Sequence, residues 1–238
     1  LLGTTAALSE NYACCSHHGY FQGDPEQMRT RALQAANSGW SLAIHAIGDA
    51  AVDFAIETLE EAVAKHGVPT MPHRIEHGGV VRPDQIERLR GKPIVVVPQP
   101  LFIRAFGDAM ADALGPERTA WSYPGKRLLD ASLILPGSSD QPVAPGVPLE
   151  VMQAFVERRT ASGRDYGPED RLTPAEALYA YTAGSAAATG WAGRKGQVMP
   201  GQLADFVLLS QDPLNTDDLS TIDVAATIVG GELRYGSF

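Results

Sequence analysis

The sequence predicts an α/β fold made of parallel βα units and followed by a small β-rich appendage. Three observations carry this reading. Four short apolar runs, near residues 41–45, 73–77, 94–98 and 132–136, alternate with segments of helical periodicity. Each run is apolar on both faces, as the strands of a covered parallel sheet are. After about Gly193 the texture changes, and Gly196, Pro200 and Gly201 punctuate short β-rich segments in place of a further βα unit.

The elements follow in order. Leu1 to Gly23 reads as an irregular loop of small and polar residues. Asp24-Pro25-Glu26 then opens a helix, with Asp at the N-cap, Pro at the first helical position and an acid in the first turn. That helix runs to about Ser38 and stops at Gly39. Trp40 to His45 is the first buried strand. Asp49 is read as the cap of a helix in which Val52, Ile56, Leu59 and Val63 recur at helical spacing, and His66-Gly67 ends it. A strand over His73 to His77, a short helix from Pro83 to Arg90 and the β-branched run Ile94 to Pro98 come next. Leu101 to Ala131 is a longer, aromatic-containing stretch, and Ser132 to Pro136 is the fourth buried run. Helices are expected over Leu149 to Thr160 and from Thr173 onward, the latter opened by the capping box Thr173-Pro174-Ala175-Glu176. Asp205 to Leu209, Thr227 to Val229 and Glu232 to Tyr235 supply an antiparallel appendage.

With 238 residues, 44% of them hydrophobic and 20% charged, the chain is long enough for a substantial core. Lys and Arg total 19 against 28 Asp and Glu, a formal charge of −9. That balance argues against nucleic acid or an anionic membrane as a partner. No apolar run reaches the roughly 18 residues of a membrane span. The two cysteines, Cys14 and Cys15, are adjacent, which excludes a disulfide framework and fits a cytoplasmic protein. The surrounding Cys14-Cys15-Ser16-His17-His18 cluster matches no standard zinc spacing and reads as a loop over a pocket.

Each apolar run ends in a polar residue. His45 ends the first and His77 the second; Gln99 sits just past the third, and Asp140 follows the fourth after Gly137-Ser138-Ser139. In parallel α/β folds the carboxyl ends of the strands form the ligand-facing rim. A single strand histidine is commonly a hydrogen-bonded core residue, and an Asp after a strand is commonly a helix cap. Two imidazoles and a carboxylate on one rim are, jointly, most of a metal constellation, with Zn²⁺ the expected ion. Beyond the third strand, Phe102, Arg104, Phe106 and Trp121 are either substrate-pocket residues beside Gln99 or an ordinary packed loop. Glu76 alternates away from His77 and is expected to pair with a neighbouring strand or helix, while Asp205 is expected to satisfy backbone groups in the appendage.

The motifs His45-Ala46-Ile47-Gly48-Asp49, Arg74-Ile75-Glu76-His77, Gly137-Ser138-Ser139-Asp140 and Pro200-Gly201-Gln202-Leu203-Ala204-Asp205 occur in that order. Across essentially its whole length the chain resembles the amidohydrolase superfamily, in its amidohydrolase-3 branch, which holds N-substituted formamide deformylase and YtcJ-like proteins. The resemblance implies a metal-dependent-hydrolase (β/α)8 TIM barrel, of which residues 1–192 are the C-terminal half, with residues 193–238 part of a small β-sandwich. It implies His45 and His77 as metal ligands from barrel strands five and six, and Asp140 as a metal contact and general acid/base. His73 shares the strand face of His77 but lies four residues back from the rim, so it is kept as a pocket candidate.

The family's strand-one His-x-His pair and its strand-four Lys or Glu have no counterpart in this chain. Four βα units are also half of a barrel. The expected partners are therefore the missing N-terminal half of the same protein and a small-molecule amide substrate, with homodimerisation left open and no nucleic acid or membrane. The implied reaction is hydrolysis of an amide or formamide C–N bond by metal-activated water, with Asp140 shuttling the proton. Deamination or cyclic-amide opening on the same scaffold, and a non-catalytic regulatory role, are the alternatives. The isolated fragment is expected to be inactive.

Overall fold

The computed structural model describes residues 4–237. Its α/β body is organised on a parallel sheet of β1 (Ala43–Ala46), β2 (His73–His77) and β3 (Ile94–Val97), in the order β1-β2-β3. The register pairs Ala46 with His77 and Glu76 with Val97, so the strands end nearly level. Helical crossovers make the pairing parallel: α2 (Asp49–His66) follows β1 and α3 (Pro83–Leu89) follows β2. Ahead of them, α1 (Pro25–Asn37) starts as its sequence predicts, with the Asp24 carboxylate accepting from the Glu26 amide at 3.0 Å. Gly39 stops it in the left-handed conformation, φ 84°. Val52, Ile56 and Leu59 of α2 are completely buried in one core with Ile75, Leu89 and Val96. Burial of each such side chain stabilises the fold by about 1.5–3 kcal/mol.

The fourth run behaves differently from expectation. Ser132 turns left-handed at φ 60°, and Leu133 to Pro136 form neither helix nor strand; the run buries Leu135 completely yet joins no ladder with β3. Its flanking amides bond elsewhere: Leu133 donates to Leu128 at 2.9 Å and Gly137 to Ala180 at 2.8 Å. A cavity of about 140 Å³ lies between Ile94–Val95 and Ser132–Ile134. Apolar composition reports burial, and burial does not require a strand partner.

The aromatic stretch is mostly helical, as α4 (Leu101–Leu114), α5 (Pro116–Ala120) and α6 (Lys126–Asp130). Ile103, Met110 and Leu114 of α4 pack with Leu8, Tyr123 and Tyr166 in a second core. Next, α7 (Pro148–Glu157) stops short of Thr160, because Arg158 turns left-handed at φ 46° and buries its guanidinium. The capping box at Thr173 and Glu176 forms as predicted and opens α8 (Pro174–Tyr179). The turn Ala180–Gly184 widens before α9 (Ser185–Ala188).

The appendage is an antiparallel sheet, β4 (Phe206–Leu209), β5 (Val224–Val229) and β6 (Glu232–Gly236), in sequence order. The loop between β4 and β5 docks on α7, where Gln153 Oε1 accepts from the Leu219 amide at 2.8 Å. Much of the sheet lies open, with Val207 59% and Tyr235 63% exposed.

Candidate active site

Two imidazoles meet at the carboxyl end of the sheet. The rings of His45 and His77 lie edge to face, 4.4 Å between centroids. Strict alternation would separate them, since the register pairs His45 with Glu76 and His77 with Ala46. His77 departs from strand geometry at φ 78°, a conformation rare for a side-chain-bearing residue, and this turns the chain at the strand end. Asp140 is also left-handed, φ 59°. Backbone strain of this kind, about 1–3 kcal/mol per residue, gathers at functional sites.

Gln99 orients His77. The Gln99 amide Nε2 donates to the Val97 carbonyl at 2.7 Å, which leaves Oε1 facing His77 Nδ1, also at 2.7 Å. With Oε1 accepting, Nδ1 of His77 is the donor of this bond, and in the neutral ring of that tautomer the lone pair lies on Nε2. Phe102 lies nearly parallel to the ring at 6.4 Å, and Tyr123 meets Phe102 edge-on at 5.9 Å. Although His45 lies exposed on the edge of β1, partial desolvation of its ring at the rim, with help from the neighbouring His77, holds the imidazole below its usual pKa against the opposing charge of Asp140. A neutral imidazole is the form that coordinates a metal.

Asp140 does not complete the constellation. Among the described residues, no three His, Cys, Asp or Glu side chains converge closely enough to hold a metal ion. The expected three-group cluster is present as an imidazole pair, with Asp140 on a half-buried loop whose charge reaches His45 through space. The physical reason lies in the fold: the run leading to Asp140 is not hydrogen-bonded to β3, so no strand ladder fixes the position of that loop. The residues fit two corners of a metal site.

Of the pocket candidates, Gln99 and Phe102 lie against His77. Trp121 is half-buried against the second core, and Arg104 is exposed on α4. His73 sits at the opposite end of β2, roughly 13 Å along the strand from His77. Its buried ring accepts the Leu42 amide at 2.9 Å, a structural task. Glu76 pairs with Arg74 of its own strand at 2.7 Å, not with a neighbouring element, and Asp205 accepts the Gly230 amide at 2.9 Å as expected.

Asp49 is not the cap of α2, a place taken by Gly48. It is the buried first residue of that helix, and its carboxylate accepts from the Ser9 amide at 3.0 Å, the Ser9 hydroxyl and Arg82 Nη1 at 2.9 Å. This node clamps the N-terminal loop over the rim. Gly48 allows the close approach, since a Cβ there would lie 1.9 Å from the Ala7 carbonyl oxygen. Gly137 has a similar duty, because its Cβ would lie 2.1 Å from the Tyr181 ring. The clamped loop walls a cavity of about 420 Å³ beside His45, lined also by Tyr20, Phe21, Ile44 and Phe54. Sequence reasoning missed the roles of Asp49 and Arg82; the one signal was an acid four residues beyond His45.

Parallel βα units carrying paired imidazoles at their carboxyl rim, beside an apolar cavity, define an α/β protein with a candidate site at the strand ends. The chain belongs to the amidohydrolase family: the Amidohydro_3 profile matches residues 1–235. It is 30% identical over 239 residues to YtcJ of Bacillus subtilis (strain 168), an amidohydrolase by name, covering 98% of this chain and 45% of that protein. It is 29% identical over 225 residues to N-substituted formamide deformylase of Arthrobacter pascens, covering 93% and 41%. An uncharacterized metal-dependent hydrolase from Pyrococcus horikoshii OT3 superposes with a TM-score of 0.80 at 31% identity, covering 92% of this chain and 44% of that one. The chain thus spans less than half the length of the curated relatives it matches.

Proposed function

We propose that this chain is the C-terminal half of a metal-dependent hydrolase that cleaves the C–N bond of amides or formamides. Residues 1–192 form half of a (β/α)8 barrel and residues 193–238 contribute to a β-sandwich. The pairing of His45 with His77, with Nε2 of His77 freed by Gln99, carries this reading. The open edge of β1, where Ala43 and His45 are exposed, and the bare faces of β4 to β6 support an N-terminal half as the partner. The two free thiols favour the cytoplasm.

His45 and His77 would hold a divalent ion, Zn²⁺ by preference, with Asp140 as a further contact and the other ligands from the N-terminal half. When bound, such an ion lowers the pKa of water to about 7 and polarises a carbonyl. Asp140 accepts the proton of the attacking water and delivers it to the departing nitrogen. Gln99 holds the His77 tautomer, and the apolar cavity beside His45 receives the substrate's organic group. The isolated chain, with an incomplete ligand set, is inactive.

Full-length protein incubated with a panel of N-substituted formamides and simple amides should release formate or carboxylate together with the amine. Ammonia release without either acid indicates deamination and overturns the amide-cleaving reading. Elemental analysis of the full-length protein should show most of the metal lost in His45→Ala and in His77→Ala; unchanged metal content in both refutes the ligand assignment. Gln99→Leu should leave a site that binds metal about 10–100-fold more weakly, because the imidazole loses its orienting partner. Competition with a chelator measures that shift, and wild-type affinity would show that Gln99 plays no part.

A further inference from the structure

Cys14 and Cys15 lie outside the chemistry above. They occupy an exposed turn, Cys14 open to solvent and Cys15 half-buried against the second core. Side chains of adjacent residues ordinarily diverge; these converge, with the sulfurs 2.6 Å apart and both cysteines free. The turn closes a hairpin-like loop in which Tyr12 donates to His17 at 2.9 Å, Leu8 to His18 at 2.8 Å and Tyr20 to Thr5 at 3.1 Å. Thr5, Ala6, Tyr20 and Phe21 of this loop line the cavity beside His45.

We propose that Cys14 and Cys15 form a vicinal dithiol that peroxides oxidise reversibly to a disulfide, a modification site on the loop that walls the pocket. In the first step the exposed Cys14 thiolate attacks hydrogen peroxide, forming a sulfenic acid and releasing hydroxide. The Cys15 sulfur then displaces the sulfenic oxygen, which leaves as water, and the S–S bond forms. In total two thiols lose two protons and two electrons, and one peroxide becomes two waters. Exposure assigns the roles: Cys14, open to solvent, is the attacking member, and Cys15, half-buried beside it, is the resolving one. Adjacent residues have Cα atoms about 3.8 Å apart, closer than the usual separation across a disulfide, so the closed form is strained. Strained, exposed disulfides are the labile ones that cellular thiols reopen, which suits a switch and not a staple.

The test is independent of the hydrolase reading. Reduced full-length protein is exposed to a few equivalents of hydrogen peroxide, alkylated, digested and mapped by mass. The peptide carrying Cys14 and Cys15 should lose two hydrogens and resist alkylation, and dithiothreitol should restore both thiols. In Cys15→Ser the reaction should stop at a sulfenic acid on Cys14 that dimedone traps. Continued alkylation of both thiols, irreversible sulfinic acid in their place, cross-links to another chain, or no dimedone adduct in the variant would each overturn the proposal.

Discussion

Asp140→Asn in the full-length enzyme should lower kcat by about 10²–10⁴ while leaving metal content close to wild type. The substitution suits this position. Asp140 is left-handed at φ 59°, and asparagine is among the few side chains that tolerate that conformation, so the loop should keep its shape. The amide also matches the carboxylate in size. It lacks only the capacity to take a proton from water and return it to the leaving nitrogen. The measurement is steady-state turnover alongside elemental analysis. Unchanged kcat would remove Asp140 from the proton path, and a loss of metal equal to that in His77→Ala would make it chiefly a ligand.

Arg158→Leu should destabilise the protein by about 3–5 kcal/mol, as read from urea unfolding of the full-length protein. This guanidinium is fully buried and bonds to four backbone carbonyls. Nε reaches Tyr166 at 3.0 Å and Gly167 at 2.9 Å, while Nη1 and Nη2 reach Tyr123 and Ser122, each at 2.8 Å. Burial lowers its pKa to about 10, with Asp170 opposing the shift, so it stays charged at neutral pH. Leucine would fill much of the space but leave buried carbonyls without donors. One of them belongs to Tyr123, itself left-handed at φ 45° and edge-on to the phenylalanine that covers His77. The damage should therefore spread toward the site. Arg158→Lys keeps a charge but not the planar fork, and should fall between the two. Wild-type stability in the leucine variant would show that these carbonyls find other partners.

Much of this architecture was legible in local chemistry. Asp24 and Pro25 open α1, Thr173 and Glu176 box the start of α8, and Gly39 and Gly67 stand where α1 and α2 end, because caps and turns depend on a few neighbouring residues. The strands of His45 and His77 were legible too, as apolar runs closed by an imidazole. Ser132 to Pro136 was misread, since whether a buried segment finds a strand partner depends on residues far away in sequence. Asp49 was misread for the same reason. An acid before a helical run looks like a cap, and only the folded chain brings Ser9 and Arg82 to it.

Sequence alone determined the parallel βα pattern, the antiparallel appendage and the family of this protein, since periodicity, punctuation and short motifs are local properties of the chain. Tertiary structure alone decided that His45 and His77 face each other, that the Gln99 amide oxygen faces His77 Nδ1, that His73 serves the far end of its strand, and that Asp140 lies on a loop held by no strand ladder. Distances between side chains depend on strand register, left-handed turns and loop packing, which bring together residues that no local pattern connects.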